Sequence, residues 1–388
     1  MNQNRYDQLG VSASKTEVHQ AIKGLDKGLY PEAFCKVLAH ISGAKSELCS
    51  VIHADTAGTK TVLAYMLWKE TGDLSVWEDL AQDAMVMNLD DLACIGLVDQ
   101  ILVSSTIGRN KHLIPSEVLK SIIHGNQKLI DTLSQFGINV HYGGGETADV
   151  GDVVRTIDVG ITAYGEIEKQ KLIIPRIQPG DVIVGLASFG QASYEQKYNS
   201  GIGSNGLTAA RHDLLAKEYS NRFPESVSPE TSKDAIYNGR FHFSDIVGNY
   251  NIGQWLLSPT RTYLPVLKKI LDEVDRQKIS ALIHCTGGGQ TKVKKFAHGV
   301  KIIKDNLFES PVFELLASET NYEKKELYEI FNMGHRMELY CKPELANDIV
   351  SFANEFSIDA RIIGYVEANA HEHCSISIKS KYGSFLYD

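Results

Sequence analysis

Three glycine-rich segments, each closing an apolar run with strand character, constrain this 388-residue chain more than any other feature. Asp55-Thr56-Ala57-Gly58-Thr59-Lys60 ends the alternating run Cys49–Asp55 and opens a helical pattern. Gly143-Gly144-Gly145-Glu146-Thr147-Ala148-Asp149 follows Ile138–Tyr142, and His284-Cys285-Thr286-Gly287-Gly288-Gly289 follows Ile279–Ile283. Helical periods fall near residues 31–41, 76–92, 115–135, 204–219, 263–275 and 343–356, and further strand periods near 100–106, 336–341 and 360–367. Helices and strands mixed in this way predict an α/β or α+β fold. The charged segment 165–180 ends in the turn signal Pro179-Gly180-Asp181, which predicts a boundary near 172 and two domains, 1–172 and 173–388. Residues 220–258 follow neither period and read as an insertion or lid-like excursion of the second domain.

Composition narrows the function classes. A net charge of -9 works against a nucleic-acid partner, which needs clustered Lys and Arg to displace counterions. Small phosphorylated ligands remain open, because loop amides and a metal ion hold them locally. No run approaches the ~18 apolar residues of a membrane span, and MNQNRYDQLG lacks the apolar stretch of an export signal. A cytoplasmic chain without membrane attachment is the expectation. The six cysteines are scattered without a C-x-x-C pair, as for reduced thiols.

The segments carry chemistry. Asp55–Lys60 would gather helix N-terminal amides, a close-approach glycine, a lysine and a carboxylate able to hold magnesium; an ordinary capped turn is the alternative. In Asn88-Leu89-Asp90-Asp91-Leu92, two acids late in a helix oppose its dipole unless a cation compensates, and an exposed acidic pair is the alternative. Each glycine of 143–145 costs up to ~1 kcal/mol of backbone entropy relative to alanine, so a ligand or another backbone should pass close by; a hairpin is the alternative. His284, ahead of its glycines, suits proton transfer or a phosphate contact, against the alternative of a core histidine. Gly201–Gly206 spells G-x-G-x-x-G but lies some dozen residues beyond its strand, which excludes the dinucleotide fingerprint. Its Ser204-Asn205-Gly206 still offers contacts at a helix start. His371-Glu372-His373-Cys374 reads as a solvated strand face, and no G-x-S-x-G elbow supports a serine hydrolase.

Taken in order, these segments resemble the aminoimidazole ribonucleotide synthetase (phosphoribosylformylglycinamidine cyclo-ligase) family of purine biosynthesis. D-G-V-G-T-K is similar to Asp55–Lys60, N-D-L-x-x-x-G to Asp90–Gly96 and G-G-E-T-A-E to Gly144–Asp149. P-G-D-x-x-x-G-L-A-S is similar to Pro179–Ser188, S-N-G to Ser204–Gly206 and P-T-R-x-Y to Pro259–Tyr263. H-I-T-G-G-G is similar to His284–Gly289 and F-N-M-G to Phe331–Gly334, and Tyr6-Asp7-Gln8-Leu9-Gly10-Val11 resembles Y-x-x-x-G-V.

The resemblance implies two domains, the N-terminal ones pairing in a homodimer through a shared β-barrel, with a cleft for ATP and formylglycinamidine ribonucleotide. In the implied ligase reaction ATP phosphorylates the formamide oxygen, the amidine-side nitrogen attacks that carbon, phosphate leaves and the imidazole ring closes. It further implies that Asp55 and Asp91 hold magnesium beside ATP, with Glu146 a third ligand or an ATP contact. Gly58, Thr59, Lys60, Gly143, Gly144, Gly145 and Thr147 would face ATP, and Ser204, Asn205, Gly206, Thr286, Gly287 and Gly288 the substrate. His284, Asp91 and Lys60 would serve catalysis, His284 by proton transfer or phosphate stabilisation. The chain departs from the family at Asp90 (Asn) and Gly203 (His), and Lys27–Phe34 lacks the glycine run over the nucleotide. Gln290-Thr291-Lys292 replaces L-x-E-N-x-P-R, and about ten extra residues precede Ser204. Two other readings follow from these departures: a superfamily member that phosphorylates another small substrate, and a non-catalytic nucleotide-binding paralogue.

Overall fold

The computed structural model describes residues 9–11 and 16–388, so Tyr6, Asp7 and Gln8 of the N-terminal motif lie outside the described residues. The first sheet holds β1 (Val37–Ala39), β2 (Leu48–Thr56), β3 (Ile101–Arg109), β4 (Val140–Asp149) and β5 (Ile157–Glu168) in the order β1-β2-β5-β3-β4. Its pairs are antiparallel except β3 with β4. Helices α1 (Lys60–Thr71), α2 (Ser75–Ala93) and α3 (Ser116–Ser134) accompany it. α2 packs on β2 and β5 on one side and on α3 on the other, which is why its residues are buried almost all round. α3 turns Val118, Ile122, Leu129 and Leu133 inward at helical spacing and leaves its polar face to solvent.

The opposite face of this sheet is open. Ile52 pairs with Tyr164 and Tyr164 with Leu102 across β2, β5 and β3, so the three form one row, with Ile52 55% and Leu102 47% exposed.

One expectation fails in this half. Residues 31–41 form no helix; Val37–Ala39 is extended and pairs with Cys49–Val51, a tertiary pairing that overrides the local helical period. The glycine triplet is not the hairpin alternative, because β4 runs through it. A Cβ on Gly145 would lie 2.1 Å from the Ser105 carbonyl oxygen, at a register shift between Val103 and Ser105. A backbone therefore makes the close approach that the glycines signal.

The second sheet consists of β6 (Val182–Ala187), β9 (Ile279–His284), β10 (Val300–Lys304), β11 (His335–Cys341), β12 (Ala360–Ala368), β13 (Ser375–Ser380) and β14 (Gly383–Tyr387). Their order is β14-β13-β10-β12-β6-β11-β9, and only β10 and β13 run parallel. β9 and β11 are buried along their whole length; β9 is correspondingly mostly apolar up to His284, whereas β11 buries His335, Arg336 and Glu338 among its apolar residues. A short hairpin, β7 (Ile246–Val247) and β8 (Tyr250–Asn251), lies apart. It belongs to residues 220–258, which are packed: Tyr237 and Phe243 are buried, and the helix Ile252–Leu257 starts at an Asn251–Gln254 capping box and rests on α1. The mixed, largely antiparallel arrangement is α+β. Among the described residues no helix is long and apolar enough to cross a membrane, and all six cysteines are free, buried thiols.

Candidate functional site

The ends of β2 and β9 and the buried flank of α2 converge on a cavity of about 390 Å³. One wall carries His53, Ala54 and Asp55 from β2 and Asp91 from α2; the other carries Asn205, Gly206, Thr286, Gly287 and Gly288, with Lys292, Lys295 and Glu329 at its side. The two halves thus contribute different chemistry, one side carrying Asp55, Asp91 and His53, the other backbone amides, hydroxyl, carboxamide and ammonium groups together with the Glu329 carboxyl.

Adjacent in sequence, Asp90 and Asp91 point to different places. Asp90 is fully buried and accepts from Thr262 Oγ1 at 3.0 Å and from the Tyr263 amide, which ties α2 to the Pro259–Tyr263 segment. Burial pushes its carboxyl up to about 7, against the pull of Arg336. Asp91 faces the cavity. Its Oδ1 lies 2.7 Å from His284 Nδ1 and its Oδ2 3.4 Å from His53 Nε2. Burial raises its carboxyl, but the charge of Lys292 and the His284 hydrogen bond more than offset this, so it is held below the usual carboxylate range. The dipole conflict read from the sequence is thus resolved by protein donors on both acids.

His284 is fully buried, with both ring nitrogens engaged: Arg336 Nε donates to Nε2 at 3.1 Å. An arginine can only donate, so the ring proton sits on Nδ1 and is given to Asp91. Burial lowers the imidazole to about 4, which keeps it neutral. Neither nitrogen faces the cavity; in this arrangement His284 orients Asp91. Lys60 also lies apart from the cavity. It is wholly buried, with Nζ 2.7 Å from Asp83 Oδ1 and 2.5 Å from the Ser258 carbonyl, so its ammonium is engaged inside the protein.

Of the other residues singled out from sequence, Asp55, Asp91, Asn205, Gly206, Thr286, Gly287 and Gly288 share the cavity wall. Ser204 turns inward to Asp83 and Thr260, and Thr59 bonds Thr208 at 2.7 Å. Gly58 lies in the turn between β2 and α1, where its amide donates to Thr56 Oγ1. Gly143, Gly144, Gly145, Glu146 and Thr147 lie on the edge strand β4 and do not line the cavity. Four residues escaped the sequence reading: His53, Lys292, Lys295 and Arg336. His53 held a signal, a polar residue two positions before Asp55 on an alternating strand; Arg336, lying between His335 and Glu338, held none. Lys292 donates to Thr286 Oγ1 at 2.5 Å and stands 4.6 Å from the centre of the Phe34 ring, which brings the segment before β1 to the cavity mouth.

Two α+β halves with a polar, acid-and-glycine cavity where they meet define a class of two-module scaffold whose site needs both modules. Residues 35–167 match the family described as AIR synthase related protein, N-terminal domain, and residues 178–376 match AIR synthase related protein, C-terminal domain. The chain belongs to the AIR synthase related protein family. Phosphoribosylformylglycinamidine cyclo-ligase of Thermococcus kodakarensis is 29% identical over 360 residues, 90% of this chain and 91% of that one. The enzyme of the same name from Methanococcus vannielii is 30% identical over 322 residues, 82% of this chain and 78% of that one. Among solved structures, the HypE-HypF complex superposes with a TM-score of 0.57 at 15% identity, covering 96% of this chain and 99% of that one. AaThiL complexed with AMPPCP and TMP gives 0.55 at 15% identity, covering 96% and 97%. Thermotoga maritima PurL complexed with FGAR gives 0.52 at 12% identity, and there this chain spans 49% of the other. These likenesses establish the fold.

Proposed function

We propose that this chain is an ATP-dependent cyclo-ligase that closes formylglycinamidine ribonucleotide to aminoimidazole ribonucleotide, with release of ADP and phosphate. The carrying observation is the cavity: the carboxylates of Asp55 and Asp91 face the amides of Gly287 and Gly288 and the ammonium groups of Lys292 and Lys295. Phosphoryl transfer asks for positioning and charge neutralisation rather than a protein nucleophile, and this wall composition offers both. The names of the relatives, each matched over most of its length, support the same reading.

Two carboxylates on one wall suit magnesium, which takes one or two acids and completes its shell with phosphate oxygens and water. Bound there, the ion would neutralise charge on the transferred phosphoryl group. Asp91, kept ionised and oriented by His284, is the better defined of the two; Glu146 stands on the edge strand β4, away from this cavity. Lys292 and the Gly287–Gly288 amides would hold phosphate oxygens, while Asn205 and Thr286 would position the ribonucleotide so that the amidine-side nitrogen reaches the activated carbon. Further parts of the proposal are a division of the chain near residue 172 and a cytoplasmic homodimer joined through the open face of the first sheet.

The test is ADP release in a coupled assay with magnesium ATP, with and without formylglycinamidine ribonucleotide. Stimulation by the ribonucleotide is the expected result. Nucleotide binding without stimulated ADP release would overturn the cyclo-ligase reading in favour of a non-catalytic paralogue.

A further inference from the structure

Arg336 stands on β11, a strand buried from His335 to Cys341. Removing a guanidinium from water costs several kcal/mol unless its donors are used, so each of its contacts is informative. Nε donates to His284 Nε2 at 3.1 Å. Nη2 donates to the Arg261 carbonyl and lies 4.0 Å from Asp90 Oδ2. The guanidinium carbon sits 5.2 Å from the centre of the Tyr263 ring. Among the described residues Nη1 has no hydrogen-bond partner, and a Cβ on Gly203 would lie 3.6 Å from it. The side chain is thus clamped at three points with one fixed direction left for Nε, and that direction ends on the imidazole of His284.

We infer that Arg336 is a positioning residue of the site: by donating to Nε2 it locks His284 as the Nδ1-protonated tautomer and so aims a hydrogen-bond donor at Asp91. Without this donor only the Asp91 carboxylate favours that tautomer, and the Nε2-protonated form becomes accessible. An imidazole protonated on Nε2 would turn a lone pair toward Asp91 Oδ1, 2.7 Å away, and the carboxylate would lose its orienting bond and rotate. The line Arg336–His284–Asp91 therefore carries order from the core of the second sheet to the acid on the opposite wall. The inference rests on the reading of Asp91 as the carboxylate that serves the metal and phosphate side of the site. Partners one shell removed from a metal carboxylate typically alter metal affinity or activity about tenfold to a hundredfold when lost.

The test uses full-length protein labelled with nitrogen-15 in its 13 histidines. The His284 ring signal is assigned by its absence in His284→Gln. The wild type should show protonated Nδ1 and bare Nε2 for this ring, and Arg336→Met should convert it to the other tautomer or to a mixture. Arg336→Lys retains the charge but cannot donate along the Nε direction while bonding the Arg261 carbonyl, so it should show the same conversion. Both variants should need about tenfold or more magnesium for half-maximal ADP release. Protonated Nε2 in the wild type, an unchanged tautomer in either variant, or rescue by lysine would overturn the inference, and the wild-type spectrum decides even if both variants fail to fold. The outcomes separate from those of the cyclo-ligase reading. If the wild type releases no ADP with the ribonucleotide, that reading fails while the tautomer result still stands or falls by itself.

Discussion

Lys60 Nζ and Asp83 Oδ1 meet 2.7 Å apart with no access to solvent, and Thr260 adds its amide to the same carboxylate. Breaking one side of such a pair strands a buried charge, so Lys60→Met should lower stability by about 3–5 kcal/mol in urea denaturation, while Lys60→Met combined with Asp83→Leu should recover most of it. A phosphate-binding lysine would behave otherwise, with stability kept and activity lost. Asp91→Asn should do that: ADP release should fall at least about a hundredfold, about 2.7 kcal/mol in barrier, at nearly unchanged stability. A loss under about threefold would remove Asp91 from the site. The contrast shows what was legible at this scale. Asp91, Asn205 and Thr286–Gly288 could be picked out because polar or glycine residues interrupt apolar patterns at the ends of elements. The fate of Lys60 could not, since it depends on Asp83 and Ser258, 23 and 198 positions further along the chain. The same limit hid the orientation of His284, whose two partners come from α2 and β11.

Elements were legible where burial is one-sided or complete, and illegible where pairing decides. α2 and α3, with β2, β6 and β9, follow from apolar period and length. Residues 31–41 and 143–145 do not, because a partner strand captures the first and a bulge against β3 absorbs the second. A comparable device holds the glycine loop that follows β9. Gln290 gives its side-chain amide to the Asn332 and His335 carbonyls and takes Lys304 Nζ on its own carbonyl at 2.8 Å. Lys304 in turn pairs with Glu338, which also bonds His335 and Tyr340. Burial would raise the Glu338 carboxyl, yet Lys304 and His335 hold it down to about 2. The sign follows. With the unfolded value at about 4.3, this carboxylate contributes stability above that pH and loses it as pH falls toward 2. The denaturation midpoint should therefore drop between about pH 5 and pH 3, and Lys304→Met combined with Glu338→Leu should flatten that slope. Equal slopes in the two proteins would separate the network from acid stability.

At the scale of the whole molecule, the first sheet is covered by α2 on one face only. Its other face sets Ile52, Tyr164 and Leu102 in one row across three strands, and ends at β4, beside whose outer side no strand lies among the described residues. An open sheet with apolar side chains in register is a surface that natural proteins rarely leave bare. Alternation along β3 made the half-exposed strand legible in sequence, but the row itself appears only once register joins residues more than fifty positions apart. A second copy of the same face is the economical cover, because a twofold axis near the row would set apolar against apolar. Leu102→Arg would then place two guanidinium groups near that axis and expose them to each other in a desolvated interface. The dissociation constant should rise at least about a hundredfold, ~2.7 kcal/mol, read as conversion of dimer to monomer by light scattering at micromolar protein. Because Leu102 lies away from the Asp55–Asp91 cavity wall, the isolated subunit should keep its fold and its melting curve should lose only its dependence on protein concentration. A wild type that is already monomeric at that concentration, or a Leu102→Arg protein that still pairs, would show that this face meets something other than its own copy.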